Sequence, residues 1–322
     1  APATKTLPIG TAFKLTGTAT DANTNDVLSF CWEQVDDATT VGAAASYPSG
    51  TKTNGANFRS FMPKNNGTRY FPRMEDHLAN GVSGNQWEII PTINRTLNFR
   101  MTVRDNNPGG GNNESANTAV TFNTAYGPFL VTSQNTAGLS YTQGSTQTIT
   151  WSVNNTTALA GSTNVNIKLS TDGGQTFPIT LAGNTPNDGS QNITIPNVSA
   201  PFCRILIEPT GNDYYAINTN DFAIGITITD ICNTYTATPN ASLSGTGYVG
   251  YNLNIPDSFT IADFNVTANV TAGRTNNILL GVVMPGSSVV DMLLFEGGSC
   301  ANNVSDLNVE FDDAGSAFNC GS

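Results

Sequence analysis

Apolar and polar residues alternate with a period of two in short runs along the whole chain, which is the signature of half-buried β-strands. Phe13 to Thr18 alternates in this way, and so does Val27 to Gln34, with the polar stretch Asp21 to Asp26 as the turn between them. Trp32 on the second of these strands is placed to anchor an immunoglobulin-like core. An irregular segment follows from Asp36 to Asn85, broken by Pro48, Gly50, Gly55, Pro63, Gly67 and Pro72, with one or two helical turns expected at Met74 to Ala79. The strand pattern returns at Trp87 to Ile90, Leu97 to Val103 and Thr118 to Phe122.

The middle of the chain repeats the pattern at Gly144 to Trp151, Val165 to Ser170, Asn192 to Ile195, Cys203 to Ile207 and Asp221 to Ile224. Asp172-Gly173-Gly174 is a hairpin signal, because glycine takes positive φ without steric cost. In the last third, Ile261, Phe264, Val266, Leu280, Val282, Leu293 and Phe295 alternate, and Pro285-Gly286 and Gly297-Gly298 supply turns. A chain of 322 residues suits three β-sandwiches of roughly 100 residues in series. The expected fold is therefore all-β: an immunoglobulin-like domain with a long inserted loop over 1–124, an immunoglobulin-like spacer over 125–225, and a jelly roll over 226–322. Short linkers near 123–128 and 223–229 predict limited freedom between the domains.

Each third also resembles a known family. Asn265 to Thr271, Ile278 to Met284, Pro285 to Ser287, Val289 to Phe295, Gly297-Gly298 and Phe311-Asp312-Asp313 stand in the order found in the P (Homo B) domain. That domain follows the catalytic domain of kexin-like proprotein convertases and other secreted bacterial proteases. The resemblance implies further strands after Phe311-Asp312-Asp313, so the third domain is expected to be incomplete within these residues. The blocks TGTATDANTNDVLSFCWEQVD, RSFMPKNNGTRYFPRMEDHL and WEIIPTINRTLNFRMTVRDNNPGGG resemble the domain after the catalytic domain of bacterial reprolysin-like zinc metallopeptidases, where a type IX sorting tail often comes later. GSTQTITW, NVNIKLSTDGGQTF, CRILIEP and NDFAI resemble an immunoglobulin-like spacer of cell-wall proteins and exoenzymes. Together they imply the non-catalytic part of a secreted zinc metallopeptidase whose catalytic domain lies outside this chain.

Charge narrows the partners. With 13 basic against 24 acidic residues, a net charge of -11, the chain has no clustered Lys and Arg to neutralise phosphates, which argues against nucleic acid. No apolar run reaches the roughly 20 residues of a helical membrane span, and APATKTLPIG does not read as a signal peptide. The expectation is a mature or internal piece of a secreted or cell-surface protein. Among five cysteines, Cys300 and Cys320 bracket one loop and are the candidate disulfide of an exported protein. Cys232 is then left for a cysteine on the strands that the P-domain resemblance implies.

Catalysis lacks its residues. A zinc peptidase needs two histidines four apart with a glutamate between them, and the only histidine here is His77. The same residue would have to serve any Ser/His/Asp triad, and no GxSxG elbow accompanies it. The pairs Asp36-Asp37 and Asp312-Asp313 are adjacent on extended chain, so their carboxylates point to opposite faces and make no glycosidase dyad. No zinc and no hydrolytic activity are expected of the chain by itself.

Calcium is the cofactor expectation. Asp21, Asn23, Asp26 and Asp105 meet at one pole of the first sandwich if their two loops are adjacent, and hard cations take several such oxygens. The alternative is that they cap turns with their own side chains. Glu296, Asp306, Asp312 and Asp313 are weaker candidates in the last domain, on the ground that P domains sometimes carry calcium. The loop with Arg59, Lys64, Arg69 and Arg73 among Phe58, Phe61, Tyr70 and Phe71 has two readings as well. It is a carbohydrate or protein contact surface, or a lid whose rings seal the sandwich edge beneath arginine stems, and the lid is favoured. Two functions follow: the metallopeptidase accessory region, which stabilises, spaces or targets its catalytic domain, or a modular surface adhesin that binds polysaccharide.

Overall fold

The computed structural model describes residues 2–39, 42, 46–227, 233–240, 242, 249–256, 264–271, 278–283, 292–296 and 306–311. The chain is all-β apart from short helical turns. It divides into two compact units, Ala1–Thr229 and Asp230–Ser322.

The first unit starts with β1 (Lys5–Pro8), β2 (Ala12–Thr16) and β3 (Ser29–Gln34). Next come β4 (Thr68–Phe71) and helix α1 (Met74–Asn80), then the long strands β5 (Arg95–Arg104) and β6 (Asn113–Asn123). Burial on β5 alternates strictly, with Leu97, Phe99, Met101 and Val103 inward. The strand pattern is therefore enough to orient it. β1, β6, β5 and β3 form a four-stranded sheet in that order, with β1 parallel to β6. β2 and β4 face that sheet, and their rings meet those of β5 and β6. Phe13 stacks on Phe71 at 4.6 Å and meets Phe99 and Phe122 edge-on at 5.9 and 5.7 Å.

The rest of the unit holds β7 (Leu130–Val131), β8 (Ser140–Tyr141), β9 (Thr146–Ser152), β10 (Asn164–Ser170) and β11 (Ile179–Pro186). β12 (Ser190–Thr194), β13 (Ala200–Pro209), β14 (Tyr214–Ile217) and β15 (Phe222–Ile224) complete it. A three-stranded sheet, β12-β9-β7, packs Ile149, Trp151 and Ile193 into the same core as Val165, Ile167, Leu169, Ile205 and Ile207 from β10 and β13. β2 also pairs with β14, Phe13 opposite Tyr214 and Ala12 opposite Tyr215, so one eight-stranded sheet runs through both halves of this unit. Half-buried ion pairs from β1 and β2 cross the same junction. Glu208 on β13 accepts from Lys14 on β2 and from Lys168 on β10, while Lys5 reaches Asp213 at 2.9 Å.

One strand expectation needs correction. Trp87 to Ile90 forms no strand: Glu88 makes only isolated bridges with Phe58 and Asn85. Pro91 removes the next donor, and Trp87 N–H is taken by Asn85 Oδ1 at 2.7 Å. The Asp172-Gly173-Gly174 turn joins the β10–β11 hairpin as expected, with both glycines at positive φ, and Asp172 braces the connection 171–178 by accepting from Thr176 N and Oγ1 at 2.9 and 2.6 Å.

A close approach between loops fixes one glycine. Gly17 N donates to Gly67 O at 3.0 Å, and Trp32 Nε1 donates to the same oxygen at 2.9 Å. A Cβ on Gly67 would lie 1.9 Å from Gly17 O, a backbone atom that cannot swing aside. Gly67→Ala is expected to destabilise the first unit by about 1–3 kcal/mol, as overpacking does, and chemical denaturation followed through Trp32 measures it.

The second unit contains two antiparallel ladders. β16 (Val266–Thr271) pairs β19 (Asp306–Phe311), and β17 (Leu279–Val282) pairs β18 (Met292–Glu296). Ile278 is buried against Val270, Leu280, Val309 and Phe311, residues drawn from both ladders.

Candidate functional site

The acidic pole follows from strand register. Antiparallel pairing sets Ser29, at the start of β3, opposite Arg104, at the end of β5. The loop before β3 and the loop after β5 therefore emerge side by side. One carboxylate oxygen from each of Asp21, Asp26 and Asp105 lies within 4.8 Å of the others, and all three residues are half-buried. Three negative charges so spaced repel by about 1 kcal/mol per pair even at the dielectric constant of water, which a divalent cation would reverse.

Local hydrogen bonds hold the three in place. Asn23 N donates to Asp21 Oδ1 at 2.7 Å, so Asn23 enters through its backbone, and Asp26 N donates to Asn23 O at 3.0 Å. Asp105 Oδ1 accepts from Asn112 N at 2.8 Å and from Asn107 N at 3.3 Å. The turn-capping role is therefore present alongside the clustering. Asn107 was not anticipated. Its Nδ2 donates to Asp26 Oδ2 at 3.0 Å and its Oδ1 accepts from Gly109 N at 2.7 Å, tying the two loops together. The Asn-Asn-Pro-Gly run marks a turn in the sequence, but nothing in it announces a bond to a residue 81 positions away.

The arginine and aromatic loop folds back onto the sandwich. Phe58 and Phe71 are buried in the core, and Arg69 lies over Phe71 at 4.4 Å and Phe61 at 4.9 Å. Arg73 covers Phe61 from 4.4 Å, and Arg59 lies between Phe61 and Trp87. Beneath them sits an ion pair, with Arg69 Nη2 at 2.7 Å from Glu88 Oε1 and the Glu88 side chain fully enclosed. Burial lifts the Glu88 carboxyl above its ordinary range, opposed by the Arg73 backbone N–H and by Arg69. Arg95, just ahead of the expected strand Leu97 to Val103, turns its guanidinium inward to the carbonyls of Lys52 and Gly55 and so holds the inserted loop. Lys64 stays exposed at a bridge to Phe30.

His77 is buried, its ring stacked on Tyr215 at 5.4 Å, and its Nδ1 has no hydrogen-bond partner. No serine or carboxylate engages that nitrogen, so the geometry offers no triad there. Burial, with the nearby Arg204 charge, lowers its pKa from 6.5 to about 4.

In the second unit Glu296 and Asp306 lie on different ladders, opposite Leu279 and Thr271. Their side chains are outside what is described, as are Asp312, Asp313, Cys232, Cys300 and Cys320. Among the described residues Cys31 and Cys203 are free thiols, and burial pushes the Cys203 thiol up to about 11.

No protein-family model matches this sequence, and no curated protein does. Among solved structures, the N-terminal four Ig domains of Dscam1 isoform 8.4 match at 15% identity over 69% of this chain, with a TM-score of 0.19; the chain spans 43% of that structure. A chimeric titin Z1Z2-Z1Z2 tandem matches at 14% identity, over 69% of this chain and 96% of its own, with a TM-score of 0.22. The fibronectin(III)-like modules of Clostridium thermocellum CbhA match at 9% identity, over 68% and 90%, with a TM-score of 0.20. All three are tandem β-sandwich structures; superpositions this loose carry no argument about activity or partners. No described helix is long and apolar enough to cross a membrane.

Proposed function

We propose that this chain is a non-catalytic accessory region of a secreted zinc metallopeptidase, and that its first sandwich takes calcium as a structural ion. The observation that carries the calcium reading is the convergence of Asp21, Asp26 and Asp105, two loops brought together by the β3–β5 register. The parent reading rests on the sequence blocks that resemble the reprolysin-like accessory domain and the P domain, in an order both families share with such enzymes. The eight-stranded sheet suits a spacer, because strand pairing through β2 and β14 removes a free swivel inside the first unit. The adhesin reading uses the same modules, since fold alone does not set function. Sequence ahead of Ala1 separates the two: an HExxH segment supports the peptidase, and further sandwich repeats support the adhesin.

An ion bound only to the native state stabilises it by mass action, about 2.7 kcal/mol at a hundredfold excess over its dissociation constant. Chelation is therefore expected to lower the first unit's melting temperature, and millimolar calcium to restore it. Asp105→Asn removes one charge while keeping an oxygen for the two backbone donors, and should abolish that calcium dependence. Superimposable melting curves with chelator and with calcium would refute the site.

A further inference from the structure

Helix α1 lies across the junction of the two halves of the first unit. Met74 is buried with Ala12 of β2, Leu206 of β13, and Tyr215 and Ile217 of β14, with Tyr70, Leu78, Val82 and Phe177 packed around them. On the next turn Leu78 presses on the β10–β11 connection so closely that a Cβ at Gly174 would lie 2.6 Å from Leu78 Cδ2. Between these two contacts sits His77, its ring nearly parallel to that of Tyr215, at 25°. Neither His77 Nδ1 nor the Tyr215 hydroxyl has a partner, and both are enclosed.

The charges around this ring favour its neutral form. From β13 comes Arg204, whose guanidinium already holds Asp221 at 2.6 Å and the carbonyls of Asn218 and Thr219 at 2.9 and 2.7 Å. From the helix itself, Arg73 and Asp76 bond each other at 2.7 Å, while Glu75 is exposed. On β4, Tyr70 meets Tyr215 edge-on at 5.4 Å, and Glu88 beyond it is committed to Arg69 and the Arg73 N–H. On the β10–β11 connection Asp172 is held by Ser170 Oγ and by Thr176, so among the described residues no carboxylate bonds Nδ1. An imidazolium here would set a second cation near Arg204 and leave an N–H buried without an acceptor.

We propose that His77 is an acid-sensitive latch: neutral, it holds α1 on the seam where β2 meets β14, and once protonated it lets the helix leave that seam. The sign is the reverse of a histidine that gains an acidic partner. Because burial holds the folded-state pKa down to about 4, the docked state is fully favoured above the unfolded value of 6.5 and loses ground as pH falls from there toward 4. By pH 4 the docked-to-released ratio is down by about 150-fold from its value above pH 6.5, and well below pH 4 by about 300-fold, the equivalent of 2.5 pH units.

With a single histidine in the chain, its imidazole resonance in an NMR titration needs no assignment. Hydrogen exchange, corrected for the intrinsic pH dependence of amide rates, is compared at pH 4 and pH 7.5 in the full chain and in His77→Phe, which keeps a ring over Tyr215 but cannot titrate. The expected result is that amides of 74–82 and 214–217 lose protection at pH 4 relative to β5 and β6, and that His77→Phe suppresses this loss. An equal loss in both proteins would overturn the latch. So would an imidazole titrating near 6.5, a reading that needs no variant to fold.

Discussion

Glu88→Ala is expected to lower the melting temperature of the Ala1–Thr229 unit by roughly 6–20 °C, which corresponds to about 3–5 kcal/mol for breaking a buried ion pair in a domain of this size. The Glu88 side chain is fully enclosed and that of Arg69 is 11% exposed, so the pair lies beyond the screening that makes surface bridges weak. Removing the carboxylate strands the Arg69 guanidinium, whose remaining partners are the carbonyls of Trp32 and Arg59. It also takes the acceptor from Arg73 N–H at the start of α1, bonded to Glu88 Oε2 at 2.8 Å. Glu88→Gln keeps an oxygen for that N–H and should cost less than the alanine. Arg69→Met in the Glu88→Leu background should recover part of the loss, because two matched apolar groups leave no buried charge. If the double variant is as unstable as the sum of the singles, the two residues are not coupled and the ion pair is not what holds the loop.

That pair marks where sequence reasoning stopped. The strands that alternate over five or more residues, β2, β3, β5, β9 and β10, were legible because period two identifies both the strand and its inward face, while β13, buried at every position from Ile205 to Pro209, was legible only as an apolar run. β4, β8, β11 and β14 were not legible. Tyr214 to Ile217 is buried on every residue, so it has no alternation to read. Trp87 to Ile90 misled in the opposite direction: a lone glutamate inside an apolar run was a signal of a buried charge seeking a partner, not of a strand. For the acidic pole, composition supplied the aspartates of both loops, while the pairing that unites them is a long-range fact of register. Arg69 and Arg73 over Phe61 and Phe71 followed from the interleaving of cations and rings, but Arg95 did not, because an inward arginine on a strand breaks the pattern that revealed the strand.

Phe13→Ala is expected to cost about 3–5 kcal/mol, the range for truncating a buried aromatic, and to do so in both halves of the first unit at once. Phe13 has no exposed surface, stacks on Phe71, and meets Phe58, Phe99 and Phe122 edge-on, contacts that add to plain burial. Its strand is bonded on one side to β4, where Phe13 lies opposite Phe71, and on the other to β14, where it lies opposite Tyr214. Tyr214 in turn packs edge-on against Phe129 at 5.1 Å, in the same continuous core as Trp151. A cavity at Phe13 therefore loosens a strand that belongs to both sandwiches. Each half carries its own buried reporter, Trp32 on β3 and Trp151 on β9. In a background of Trp87→Phe, with either Trp32→Phe or Trp151→Phe added, the remaining tryptophan reports one half. The shared sheet predicts one denaturation midpoint from both reporters, displaced by the same amount in Phe13→Ala. Two separate midpoints, with only the Trp32 transition moving, would mean that β2 and β14 touch without coupling and that the halves unfold as independent domains.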